Sequence, residues 1–140
     1  MEVSKEILNN IAGNMESGFK CFIHRETLEV VTYRDMDEDL FYMEANPWKE
    51  EIKKIKKGKK KYIELANMDS RDSFKVMEEF ANTLENNSTK IRLLTALQGK
   101  RPFANFKFQV DNSGKYREQW FAFRREKIIE WIQDRLSFES

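Results

Sequence analysis

Residues 115–136, KYREQWFAFRREKIIEWIQDRL, decide how the rest of the chain is organised. Neither Gly nor Pro occurs from Lys115 onward, so one long helix can run from about Lys115 to Leu136. At about 100° per residue, Tyr116, Trp120, Phe121, Phe123, Ile128, Trp131, Ile132 and Leu136 fall on one broad arc. Glu118, Glu126, Glu130 and Asp134 fall mostly outside it. That is the pattern of a core-facing helix. Arg117, Arg124 and Arg135 break the pattern, because the same rotation puts them near the middle of the aromatic arc, where a cation needs an anionic partner or a wet opening.

Working back from this helix, Asp111, Asn112, Ser113 and Gly114 make the turn that leads into it. Pro102 stands at the first turn of a further helix with Phe103, Phe106 and Val110 on one side. A short helix before that carries Ile91, Leu94 and Leu97 and ends at Gly99. Asp69 or Ser70 caps a longer helix whose stripe is Phe74, Met77, Phe80, Ala81 and Leu84, and Asn86, Asn87 and Ser88 break it. Residues 62–65, Tyr-Ile-Glu-Leu, are too few for a helix and read as a strand. Asn46 and Pro47 start a helix carrying Trp48, Ile52 and Ile55 that stops at Gly58. In front lies a hairpin: Phe19, Cys21 and Ile23 alternate with Lys20, Phe22 and His24, and after the turn at Arg25, Glu26 and Thr27 the alternation resumes from Leu28 to Tyr33. One face of this hairpin reads as the more apolar. Ser4 caps an opening helix with Ile7, Leu8 and Ile11 on one face, stopped by Gly13.

The order is helix, two strands, helix, strand and four helices. Strands at the front and helices at the back predict an α+β fold: a small three-stranded antiparallel sheet in the N-terminal half packed against several helices, with a long C-terminal helix. At 140 residues, with 40% hydrophobic and 13% aromatic residues, the chain is expected to form a single globular domain, residues 1–140. A net charge of +1 removes any global electrostatic case for nucleic acid or membrane and leaves only local patches. The single Cys21 forms no internal disulfide, and no Cys or His cluster suits zinc. The opening residues lack an apolar signal core, and no apolar run reaches membrane-spanning length. The expectation is a cytoplasmic protein with no cofactor, no metal and no membrane partner.

Three blocks, in this order, carry a resemblance. They are Met68-Asp69-Ser70-Arg71-Asp72-Ser73-Phe74; Arg101-Pro102-Phe103 with Asn105-Phe106-Lys107; and Tyr116-Arg117 with Gln119-Trp120-Phe121. Together they resemble an uncharacterised family of small bacterial proteins, over most of the chain from Gly18 onward. The resemblance implies no activity, substrate or cofactor and brings no catalytic residues with it.

Four constellations bear on chemistry. Arg117, Trp120, Phe121 and Arg124 on the last helix, with Arg71, Asp69 and Asp72 at a helix start, form either an anion or peptide site or an internal set of ion pairs in which Asp69, Asp72 or another carboxylate meets Arg117. Lys53, Lys54, Lys56, Lys57, Lys59, Lys60 and Lys61 could follow a phosphate backbone, or could equally complement a helix C-terminus and solubilise a turn. Asp35-x-Asp37-x-Asp39 imitates the opening of a calcium loop, but Leu40 stands where Gly is needed and Asn46 where Glu is needed. Asp69 and Asp72 leave room for an uncatalogued hydrolase. His24, the sole histidine, reads as a strand-edge residue, and Cys21 as a small core residue. The leading expectation is a non-catalytic binding or regulatory module for a protein, a peptide, another copy of itself or an anionic partner; nucleic-acid binding through the lysines is the alternative.

Overall fold

The computed structural model describes residues 1–34, 46–85 and 87–139. The acidic connection with Asp35, Asp37 and Asp39 lies outside them. The described residues form six helices and a three-stranded sheet: α1 (Lys5–Glu16), β1 (Phe19–His24), β2 (Val30–Arg34), α2 (Lys49–Lys57), β3 (Tyr62–Leu65), α3 (Ser70–Thr83), α4 (Ser88–Gln98), α5 (Pro102–Asp111) and α6 (Tyr116–Ser137). The fold is α+β, and its element order is the one the periodicities predict. The chain divides into two compact units, Met1–Asn67 with Ile132–Ser140, and Met68–Trp131.

The first unit is built on the sheet, ordered β2-β1-β3 with both pairings antiparallel. Phe22 pairs with Val31, and Cys21 pairs with Thr32 on one side and Leu65 on the other. Strand alternation therefore sends Phe22, Val31, Tyr33 and Tyr62 to one face, where they cluster with Ile52 and Ile55 of α2. Cys21, Ile23, Ile63 and Leu65 line the other face, and the Cys21 Sγ lies 3.9 Å from the Ile11 carbonyl of α1. The hairpin is thus not apolar on one side only. A helix covers each face, which is why Phe22 and Tyr33 are buried along with Cys21 and Ile23.

Two helix boundaries differ from the sequence expectation. Gly13 does not stop α1; the helix passes through it to Glu16, because Met15 still buries its side chain in the core, and the chain turns at Gly18, whose φ of +85° suits glycine. Helix α2 starts at Lys49 rather than at Pro47, since the Asn46 side chain accepts the Trp48 N–H at 2.9 Å and holds the preceding residues in a turn.

The hairpin turn is held by His24, whose Nδ1 accepts the backbone N–H groups of Glu26 and Thr27, both at 3.1 Å. From the same turn, Arg25 donates to the Lys60 carbonyl through Nε at 3.1 Å and to the Glu139 carboxylate through Nη1. Arg135 reaches the other Glu139 oxygen at 2.6 Å. Glu29 accepts from Lys54 at 2.6 Å and from the Tyr62 hydroxyl at 2.8 Å, so the lysine-bearing helix is tied back to the sheet.

The second unit is a helical cluster. Its core is Val76, Phe80, Ala81 and Leu84 of α3 and the residue after it, Leu93 and Leu97 of α4, Phe106 and Val110 of α5, and Trp120 of α6. The Trp120 ring meets Phe106 edge-on at 5.0 Å and Phe80 tilted at 5.4 Å. Ile91 is 66% exposed, so the inward stripe of α4 is Leu93 and Leu97 and not the face that includes Ile91. Gly114, at φ +67°, provides the left-handed turn before α6.

Helix α6 is continuous, but its buried residues do not share one arc. Trp120 is buried with Tyr116 and Phe123 half-buried beside it, whereas Ile129, Ile132 and Leu136 are buried roughly half a turn away. The helix serves two units in turn: residues 116–131 belong to the second and the remainder to the first.

Candidate functional site

Helix α6 presents its cations and rings as i, i+3 and i, i+4 neighbours, the spacing that brings side chains into contact on a helix surface. Arg117 and Phe121 are four residues apart, and the guanidinium carbon of Arg117 stands 4.7 Å from the Phe121 ring centroid. Arg124 approaches the same ring from the other end at 5.7 Å and the Trp120 ring at 5.9 Å. Phe121 is 37% exposed, so a ring with a cation toward each end is open to solvent. Trp120, 5% exposed, lies in the core and supports this face from beneath rather than forming it.

Arg117 pairs with Asp111 at the end of α5, its Nε 3.4 Å from Oδ1, and not with Asp69 or Asp72. Both members of this pair keep water on one side, which places its worth among surface ion pairs, about 0–1 kcal/mol. Next along the helix, the Lys127 Nζ sits 3.1 Å from Glu79 of α3 and 5.5 Å from the Phe123 centroid; the Glu79 carboxylate raises the Lys127 pKa.

Asp69 and Asp72 serve α3. The Asp69 carboxylate accepts the Asp72 N–H at 2.8 Å, the geometry of an N-cap three residues ahead of its donor. That backbone N–H, and then the Asp72 side chain, hold the Asp69 carboxyl below its ordinary pKa, while the facing Asp69 carboxylate raises Asp72. The two carboxyl groups therefore pull apart in acidity as neighbours on a solvent-facing cap. Arg71 is exposed in the same first turn. The sequence-derived residues thus occupy two places within this unit: Asp69, Arg71 and Asp72 at the start of α3, and Arg117, Trp120, Phe121 and Arg124 on α6.

The lysines belong to the other unit. Lys53, Lys54, Lys56 and Lys57 lie in α2, and Lys59, Lys60 and Lys61 lead into β3; all seven are exposed. Lys54 is held by Glu29, which raises the lysine pKa and lowers that of the glutamate. Cys21 is buried, and burial pushes its thiol up to about 11, the behaviour of a core residue rather than of a nucleophile.

A family model for an uncharacterised protein family, UPF0158, matches residues 26–140, which is most of the chain and includes every residue discussed above except Cys21, His24, Arg25 and the α1–β1 segment. The chain belongs to the UPF0158 family. No curated protein and no solved structure matches it. The UPF0158 match spans the α3 cap, the α5 segment and the α6 face together, so those three stretches sit within one family-defining region. Among the described residues, no helix is long and apolar enough to cross a membrane, and no group of His, Cys, Asp and Glu is arranged to hold a metal ion.

Sequence reasoning missed the solvent side of α5. Phe108 is 64% exposed and Phe103 is 38% exposed, with Lys107 exposed between them. The signal was available: Phe106 and Phe108 are two residues apart, so at about 100° per residue they cannot both face the same core.

Proposed function

We propose that this UPF0158 chain is a non-catalytic binding module of the bacterial cytoplasm that takes an anionic partner on the α6 face formed by Arg117, Phe121 and Arg124. The observation that carries this reading is the pair of guanidinium groups, 4.7 and 5.7 Å from the centroid of a solvent-open ring. A guanidinium over an aromatic ring can turn its in-plane N–H donors to carboxylate or phosphate oxygens, and Arg117 is the exposed one of the two, whereas Arg124 is half-buried with its Nε covered. Asp69 and Asp72 keep the capping role that their hydrogen bond describes.

The test is retention on an immobilised sulfated polymer, comparing the native chain with Arg117→Met and Arg124→Met. Methionine keeps most of the alkyl packing and removes the charge. The double variant is expected to melt within a few degrees of the native chain yet elute at clearly lower salt. Elution at unchanged salt rejects the α6 face.

A second reading rests on a separate observation, the exposure of all seven lysines between residues 53 and 61. It makes the first unit a nucleic-acid-binding surface of backbone-following type. Replacing Lys56, Lys57, Lys59 and Lys60 with Gln should then abolish salt-sensitive retention of nucleic acid on filters, and unaltered retention excludes it.

A further inference from the structure

We infer that the anionic partner is single-stranded nucleic acid, and that its bases stack on Phe103 and Phe108 of α5 while its phosphates meet Lys100, Arg101, Lys107 and Arg117; this rests on the anion-binding reading of the α6 face.

Phe106 and Val110, each 1% exposed, make the core contribution of α5. Relative to Phe103, Lys107 lies about 40° round the helix and Phe108 about 140°, while Val110 and Phe106 lie about 20° and 60° to the other side, so Phe103 stands at the edge of the core face, Phe108 opposite that face, and Lys107 between the two rings. All three are exposed. Phe108, 64% exposed, and the outer edge of Phe103, 38% exposed, leave ring surface in water that burial would turn to stability, roughly 1.5–3 kcal/mol for a side chain fully buried, and mark this side of α5 as a contact surface.

The stretch of chain that carries these rings is predominantly basic as far as the acid Glu118. Within residues 91–117 the cations are Arg92, Lys100, Arg101, Lys107, Lys115 and Arg117, all exposed, and the sole acid is Asp111, which is paired with Arg117. The partner is therefore an anion. A single strand brings one phosphate and one unstacked π face per nucleotide, and interleaved Lys and Phe answer both. A duplex hides its π faces inside the stack, and an acidic peptide supplies charge without a flat ring. The lysine run of the first unit supplies cations alone: among the described residues, the exposed large hydrophobics Ile91, Phe103, Phe108 and Phe121 all lie in the second unit, and Phe138 is outside the run.

Fluorescence anisotropy of the full chain tests this, with end-labelled U12, dT12, a 12-base-pair duplex and polyglutamate as probes. Five chains are compared: native, Phe103→Leu/Phe108→Leu, Phe103→Tyr/Phe108→Tyr, Arg117→Met, and the four-lysine Gln variant of residues 56–60. Thermal melts confirm that each is folded. The single strands are expected to bind at least tenfold more tightly than the duplex or polyglutamate. Leucine keeps the apolar area and removes the π face. The Leu variant should therefore lose roughly 20-fold or more in affinity for U12, given that one base stack is worth about fivefold to 150-fold. The Tyr variant should retain native affinity, and the lysine variant should lose less than the Leu variant.

Equal affinity of the Leu and native chains for U12 overturns the inference, as does loss of U12 binding in the lysine variant alone. Polyglutamate bound as tightly as U12, and released by Arg117→Met, overturns the inference while leaving the α6 face as an anion site. Failure of every polyanion to bind overturns both.

Discussion

Phe106 and Phe108 are chemically identical, two residues apart on one helix, and should respond oppositely to truncation. Phe106 is 1% exposed and meets the Trp120 ring edge-on at 5.0 Å, so Phe106→Ala removes a fully buried ring together with its aromatic partner. Such a truncation costs about 3–5 kcal/mol, and the upper part of that range applies where an aromatic pair worth about 0.5–1.5 kcal/mol is lost as well. Taking ~4 kcal/mol and a melting shift of about 3 °C per kcal/mol for a chain near this length, the expected drop is about 12 °C. Phe108 is 64% exposed, and surface truncations usually stay within about 0.5 kcal/mol, so Phe108→Ala should move the melt by less than about 2 °C. Circular dichroism at 222 nm follows both, since the second unit is helical throughout. A Phe106→Ala shift below about 3 °C, or equal shifts for the two variants, would refute the packing of α5 and with it the solvent arc on which the stacking proposal stands.

Three further outcomes follow from individual contacts. Asp69→Ala removes the cap of α3 and should cost about 1 kcal/mol, whereas Asp69→Asn, which still presents a carbonyl oxygen to the Asp72 N–H, should retain most of it; urea titration separates the two. A Cβ on Gly58 would come 3.0 Å from the Tyr62 ring, which is itself buried and bonded to Glu29, while one on Gly99 meets only ordinary contacts from 3.6 Å, so Gly58→Ala should lower the melting temperature and Gly99→Ala should not. Glu139 is held below its ordinary pKa by hydrogen bonds from Arg135 and Arg25. Its contribution is therefore present above the unfolded carboxylate range, near pH 4, and is lost as pH falls through the lower folded value. Glu139→Gln should melt lower than the native chain at pH 7, and the two melts should converge as the pH drops below about 4; a gap that persists at acid pH would show that the clasp does not act through the carboxylate.

Element existence and order could be read because each helix carries its own punctuation. Asp69 caps α3, Asn87 caps α4 and accepts the Lys90 N–H at 3.0 Å, Pro102 opens α5, and Gly114 turns the chain into α6. Burial was less legible, because periodicity tells which residues share a face but not how many faces are covered. Phe22 and Tyr33 looked like the outer side of a hairpin until α1 and α2 covered both sides of the sheet. Arg117 illustrates the same limit at the site. Its partner, Asp111, is only six residues away in sequence, yet nothing in the spacing selects it over Asp69 or Asp72, because the turn at residues 112–115 determines where the end of α5 stands relative to the start of α6. Cation and ring on α6 were recoverable as neighbours from i, i+4 spacing alone; what could not be recovered was which ring is open, and Phe121 rather than Trp120 is the open one.

The net charge of +1, which argued against a polyanionic partner, is a whole-chain sum that hides an uneven distribution within the second unit. Residues 68–85 carry Asp69, Asp72, Glu78, Glu79 and Glu85 against Arg71 and Lys75, whereas residues 91–117 carry six cations against Asp111. The sign changes between α3 and α4, and at a physiological Debye length of about 8 Å a ligand on α5 responds to the basic half more than to the whole. The number of cations also bounds the salt dependence. Counting those six and Arg124 of the α6 face, with Arg117 partly engaged by Asp111, six or seven cations can displace counterions, and at about 0.7 per single-strand phosphate the slope of log affinity against log salt should be no steeper than about −5. A measured slope well beyond that would require cations from outside this set; a slope near −3 that flattens in Lys107→Gln would place the strand on α5.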